Sequence, residues 1–168
     1  MPSITIGWVF TLGVLVHNLE EALYLPAWSA HAGRWYRPIG AWEFRFAIGV
    51  FSVLILVLTA ASSLSPAHSP GAYLMAGYVL AMVLNVFAPH LFATVFQRRY
   101  MPGTATAVLL NLPLGWLYLR QILMEHRIEL RVFSWAGPLT VLAILALIPV
   151  LLALCRRVTS THASMKML

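Results

Sequence analysis

The sequence predicts an all-α fold, a polytopic membrane bundle of five transmembrane helices, and three observations carry that prediction. Apolar residues fill 61% of the 168 positions and charged residues only 10%, against roughly 25% charged in soluble domains. Five apolar runs, residues 3–25, 44–64, 71–96, 103–124 and 134–155, reach the ~20 residues a helix needs to cross a hydrocarbon core of about 30 Å. The basic residues stand at the ends of those runs rather than along one solvated face. The net charge of +6 therefore reads as membrane orientation and excludes a nucleic-acid surface.

Five crossings place loop one, loop three and the C-terminal tail on one side, which holds Arg34, Arg37, Arg45, Arg98, Arg99, Arg156, Arg157 and Lys166. The other side holds Arg127 and Arg131, with Arg120 at its edge. The positive-inside rule then predicts N-terminus out and C-terminus in, across a plasma membrane of bacterial type. Residues 1–158 read as one bundle and 159–168 as a short basic tail. The first run lacks a basic leader and carries two acids near its end, so it reads as a span rather than a cleaved signal. A lone Cys155 excludes an intramolecular disulfide and any Cys-based metal cluster.

Span one contains Val16-His17-Asn18-Leu19-Glu20-Glu21-Ala22. On a helix His17 sits above both Glu20 and Glu21, with Gly13 and Tyr24 in phase. An ionised group at bilayer depth costs about 2.5–3.5 kcal/mol on insertion scales, so two acids beside a His call for a function. Pro26 is expected to end the span, and Trp28, Trp35, Tyr36 and Trp42 of loop one suit the headgroup region. Span two, entered through Glu43 and Arg45, reads as wall. In span three Pro89 should kink the helix and release the carbonyl of Asn85. His90 follows it directly, with Thr94 in phase, while Asn85 and His90 point about 140° apart on an ideal helix. The short connection 98–103 makes spans three and four antiparallel neighbours. Span four carries Asn111, and Pro113, which should free the carbonyl of Leu109. His126 and Glu129 repeat the motif's spacing outside any apolar run and read as a solvated helix end. Span five has no ionisable group before Cys155 and reads as structural.

Counted from the side predicted to be cytoplasmic, His17, Glu21, His90, Asn85 and Asn111 fall in one slab at about 1.5 Å per residue. The expected site therefore has His17, Glu20, Glu21 and His90 as reacting groups, with Asn85, Asn111, Tyr24 and Thr94 lining the substrate. Its first chemistry is proton transfer: desolvation raises a Glu pKa and lowers that of a His, so neighbouring groups share one proton near neutral pH. A lipophilic isoprenoid- or sterol-like molecule would then be isomerised, hydrated or cyclised. Its second is a mononuclear or dinuclear zinc or iron centre on His17, Glu20, Glu21 and His90, giving a hydrolase or oxidase. The third is a proton- or cation-coupled carrier or a lipid-binding protein. The expected partners are the lipid bilayer and a lipophilic small molecule, and the cofactor is none or a divalent metal.

His17, Glu20 and Glu21 match the motif of the membrane-protein family named for H-x-x-E-E, and the chain resembles that family over about residues 13–115. Pro26, His90 and the Arg99-Tyr100-x-Pro102-Gly103-Thr104-x-Thr106-Ala107 run are further similar features. The family is defined by sequence rather than by an activity, so the resemblance marks His17, Glu20, Glu21 and His90 without naming a reaction. The His17 and Glu21 spacing is also similar to emopamil-binding-type sterol isomerases, small five-span proteins with His, Glu and Asn facing an intramembrane cavity.

Overall fold

The computed structural model describes residues 1–33 and 38–165, with side chains described as far as Arg157. Five helices are long and apolar enough to cross a membrane. They are α1 (Ser3–Ser29), α2 (Ala41–Leu64), α3 (Pro70–Phe96), α4 (Thr104–Met124) and α5 (Leu130–Met165). No strand occurs among the described residues. The chain is a helical membrane protein.

Three boundaries differ from those expected. α1 runs through Pro26 to Ser29, because a proline removes one donor without obliging the chain to leave the helix; the Ser29 hydroxyl donates to the Pro26 carbonyl at 2.8 Å. The last helix continues to Met165, so most of the expected tail is an extension of α5. Trp28, expected to face the headgroup region, is instead buried within the protein with Leu25, Ala32, Ala93 and Met101, since α1 is long enough to carry it under the 97–103 connection. Trp42 is exposed as expected, and Trp35 and Tyr36 lie outside the described residues.

Without water, apolar burial drives helix association weakly, and small residues and interhelical hydrogen bonds take over. α1 and α2 are tied by Asn18 Nδ2 donating to Ser52 Oγ at 3.0 Å and by the Thr11 and Thr59 hydroxyls, 2.6 Å apart. α5, expected to be structural, packs on α3 where Gly77 leaves room for Thr140; a Cβ at Gly77 would lie 2.5 Å from the Thr140 Cβ.

The end of the bundle nearest Ser3 is closed by polar caps. Glu125 accepts from the Ser3 amide at 2.9 Å and from the Ser3 hydroxyl, placing an anion at the N-terminus of α1. Burial alone would raise the Glu125 pKa, but the bonds from Ser3 and Gln121 and the nearby Arg127 outweigh it and hold the carboxyl low. Arg127 donates to the carbonyls of Ser62 and Ser65 at 2.7 and 2.9 Å, closing the C-terminal end of α2. His126 does not pair with Glu129, as expected; Glu129 lies instead 4.0 Å from His68, with both groups exposed.

The two prolines in the middle spans leave their marks. α3 breaks at Ala88, whose backbone is extended (φ −134°, ψ 116°) within the wide turn Val86–Leu91. A residue before proline is driven out of the helical region, and proline offers no N–H to the turn before it. α4 opens into a wide turn over Ala107–Asn111, just before Pro113, the form an intrahelical bulge takes where a donor is missing. These breaks position the site.

Candidate functional site

α1 supplies the first wall. His17 and Glu21, one turn apart, both point into the bundle, with His17 at 1% and Glu21 at 9% relative exposure. The break in α3 supplies the second, since the chain restarts at Pro89 and turns the fully buried His90 ring toward α1. His90 Nε2 lies 3.2 Å from Glu21 Oε1, and His17 Nε2 lies 3.8 Å from Glu21 Oε2. The imidazole rings meet edge to face at 4.9 Å between centroids. One donor atom from each of His17, Glu21 and His90 falls within 4.8 Å of the others, so among the described residues these three are the group that could hold a metal.

The third wall is the connection between α3 and α4, which the sequence marked as a tight antiparallel link and as part of the run shared with the motif family, but not as a wall of the site. Gly103 adopts φ +92°, a conformation favoured by glycine. A Cβ there would lie 2.6 Å from His90 Cε1 and 3.0 Å from both Glu21 Cγ and His17 Cε1. The backbone of Gly103 is therefore pressed against all three side chains. Its carbonyl is 3.2 Å from His17 Nδ1, and Thr106 Oγ1 is 3.0 Å from the same nitrogen. With both oxygens accepting from Nδ1–H, the neutral ring presents the Nε2 lone pair to Glu21 and His90.

Glu20 belongs to a different environment from Glu21. One carboxylate oxygen accepts from Tyr100 at 2.5 Å and the other from the Thr106 hydroxyl at 2.7 Å. It lines an open groove of about 610 Å³ with Tyr24, Trp28, His31, Arg99 and Tyr100. Burial, and next the bond to Glu20, raise the pKa of Tyr100 above its ordinary value. Glu20 thus fixes Thr106 and hence the His17 ring, and is not one of the converging groups.

The remaining expected residues divide. Asn111 is fully buried, neither amide atom has a hydrogen-bond partner, and Oδ1 lies 3.8 Å from where a Cβ on Gly13 would stand, one turn from His17 on α1. Thr94 shares a 2.9 Å bond with Thr104 and accepts from the Met101 amide at 3.1 Å; it shapes the connection that carries Gly103. Tyr24 is 60% exposed on the groove side of α1. Asn85 is half-buried at the end of the regular part of α3, and it is not among the groups gathered with His17, Glu21 and His90. Glu43 stays in the first turn of α2 beside Gly40 and is not among the groups gathered with His17, Glu21 and His90. Gly103, Thr106 and Tyr100 were not among the expected site residues, although all three fall in the 99–107 run that carries part of the family resemblance.

A five-helix membrane protein with one carboxylate and two imidazoles gathered at a broken helix is the class that fold and site define. The chain belongs to the family described as a protein of unknown function with HXXEE motif, which it matches over residues 8–118. It is also 32% identical over 142 residues to a Bacillus subtilis (strain 168) protein described as the uncharacterized protein YrkK, covering 84% of this chain and 90% of that one. No solved structure matches. The likeness to sterol isomerases gains no support from these matches.

Proposed function

We propose that the chain is an integral membrane enzyme that performs proton-transfer chemistry on a lipophilic molecule at the His17–Glu21–His90 cluster. The observation that carries this reading is a nearly buried carboxylate between two ring nitrogens that have no hydrogen-bond partner of their own. Groups so placed hold a proton among them and pass it to or from a substrate. Intramembrane ionisable residues are expensive and mark functional paths. Asn111 is the candidate to orient the substrate's polar atom. The groove beside Glu20, lined in part by Tyr24, Trp28 and Tyr100, is the candidate docking place for the rest of the substrate. With the arginine-rich side in the cytoplasm, the cluster sits in the inner half of a bacterial-type plasma membrane, within reach of isoprenoid- or sterol-like molecules.

The test is isotopic. Protein in nanodiscs is incubated in D2O with a bacterial total-lipid extract, and the extract is compared by mass spectrometry with one treated with Glu21→Gln. One lipophilic species that gains deuterium or changes mass only with the unsubstituted protein supports the reading. Identical extracts refute it.

A further inference from the structure

We propose that His17 Nε2, Glu21 and His90 bind one divalent first-row transition-metal ion, zinc or iron(II), in a three-ligand site with an open position, and that Glu20 is a positioning residue rather than a ligand. This rests on the reading of the cluster as a reaction centre and names its cofactor.

A single bridging proton serves only part of this geometry. It satisfies Glu21 and His90, 3.2 Å apart, but leaves His17 Nε2 turned toward the carboxylate at 3.8 Å, beyond hydrogen-bond distance. Nor can His17 turn its other nitrogen inward, because Nδ1 is held by Gly103 and Thr106. A cation between the three satisfies them together. The donor set is the His2Glu type that borderline-soft ions take, with three protein ligands and one open position. A tetrahedral shell with bonds of about 2.0–2.1 Å has edges of about 3.4 Å. One Glu21 oxygen stands 3.2 Å from His90 Nε2 and the other 3.8 Å from His17 Nε2, each within about 0.4 Å of that, and one donor atom from each of the three residues lies within 4.8 Å of the others.

The surroundings of His17 match what a ligand histidine requires. Metal-bound imidazoles commonly give their other N–H to a carbonyl or a polar side chain, which fixes the tautomer. His17 does this through Gly103 and Thr106, and Thr106 is held in turn by Glu20. His90 is 0% exposed with neither ring nitrogen hydrogen-bonded as the side chains stand, and ligation would satisfy Nε2. One carboxylate leaves a divalent ion with a single positive charge, which one anionic fourth ligand would neutralise in a low-dielectric setting. Such an ion acidifies a bound water to a pKa of about 7, supplying the proton-transfer group.

The test titrates chelator-stripped protein in nanodiscs with Co(II), reading its visible absorption, alongside elemental analysis of protein purified without chelator. The expected result is one ion per chain, identified as zinc or iron by the elemental analysis, with Co(II) bands of a His-ligated centre. Binding should fall at least tenfold in His17→Ala, Glu21→Gln and His90→Ala, persist in Glu20→Gln, and weaken about 10–100-fold in Thr106→Val, as loss of an orienting partner does. Chains that elute and melt like the unsubstituted protein are compared. Lack of saturable Co(II) bands in the unsubstituted protein overturns the proposal without any variant, as does undiminished binding in Glu21→Gln. Loss of the ion in Glu20→Gln with retention in Glu21→Gln overturns the assignment of the glutamates. The deuterium assay on the same stripped and loaded samples separates the two claims. Isotope incorporation without metal keeps the enzyme reading and sinks this one; metal without incorporation does the reverse.

Discussion

Gly103→Ala should damage this protein more than any other glycine-to-alanine change at a positive φ, because two independent costs fall on one residue. The first is conformational: φ is +92°, and an L-residue forced into the left-handed region pays about 1–2 kcal/mol. The second is steric, since the new methyl would stand 2.6 Å from His90 Cε1 and 3.0 Å from Glu21 Cγ and His17 Cε1. The His90 ring is wholly buried and has nowhere to withdraw, so an overpacking cost of about 1–3 kcal/mol applies. Together these make about 2–5 kcal/mol. At roughly 2–4 °C per kcal/mol for a chain of this size, the melting temperature in detergent should fall by roughly 4–20 °C. Gly33 provides the control, for it also has positive φ (69°) but nothing within 4 Å of a Cβ. Gly33→Ala should carry the conformational cost alone. A Gly103→Ala chain that melts no lower than Gly33→Ala would refute the claim that this backbone is packed against the cluster.

Other expectations follow from the same packing. Gly77→Ala should cost about 1–3 kcal/mol by pushing α3 from Thr140; Thr140→Ala in the same chain should restore much of it in thermal melts, without changing metal binding. Asn18→Leu removes the bond to Ser52 and should lose about 0.6 kcal/mol, the average for interhelical bonds in membranes, in a denaturant titration. Glu125 has a folded pKa below its unfolded one, so its contribution is present above the unfolded value of about 4.3 and lost as pH falls through the lower folded value. Melting temperatures from pH 6 down to 3 should therefore drop more for the unsubstituted protein than for Glu125→Gln.

Much of this fold was legible in the sequence because a bilayer leaves the chain few options. A backbone in hydrocarbon must satisfy its hydrogen bonds internally, so apolar run length gives the five helices almost directly. The spacing of four residues likewise suffices to place His17 over Glu21 on a helix. Proline chemistry gave the positions of the breaks at Pro89 and Pro113, but not their consequence. His90 and Asn85 look equally available in sequence, and only the extended backbone at Ala88 turns the first toward Glu21. The motif's two acids were also indistinguishable, because both lie near the His17 face; their separation depends on Tyr100 and Thr106, which arrive from 80 residues or more away. Gly103 contributes a carbonyl and the want of a side chain, and neither leaves a periodic signal. The burial of Trp28 was not foreseen because interfacial preference describes an average tryptophan, whereas this one is overlaid by the 97–103 connection.

The central claim is that α1 and the restarted half of α3 meet at one point, with Glu21 against His90. A Glu21→Cys, His90→Cys chain in a Cys155→Ala background, treated with a short thiol-specific cross-linker in nanodiscs, tests it directly. An Asn18→Cys, Ser52→Cys chain serves as the reference for a pair in hydrogen-bonding contact. The account predicts that the Glu21 and His90 pair links within one chain as completely as the reference pair. A reference pair that links while Cys at positions 21 and 90 remains unlinked would contradict it.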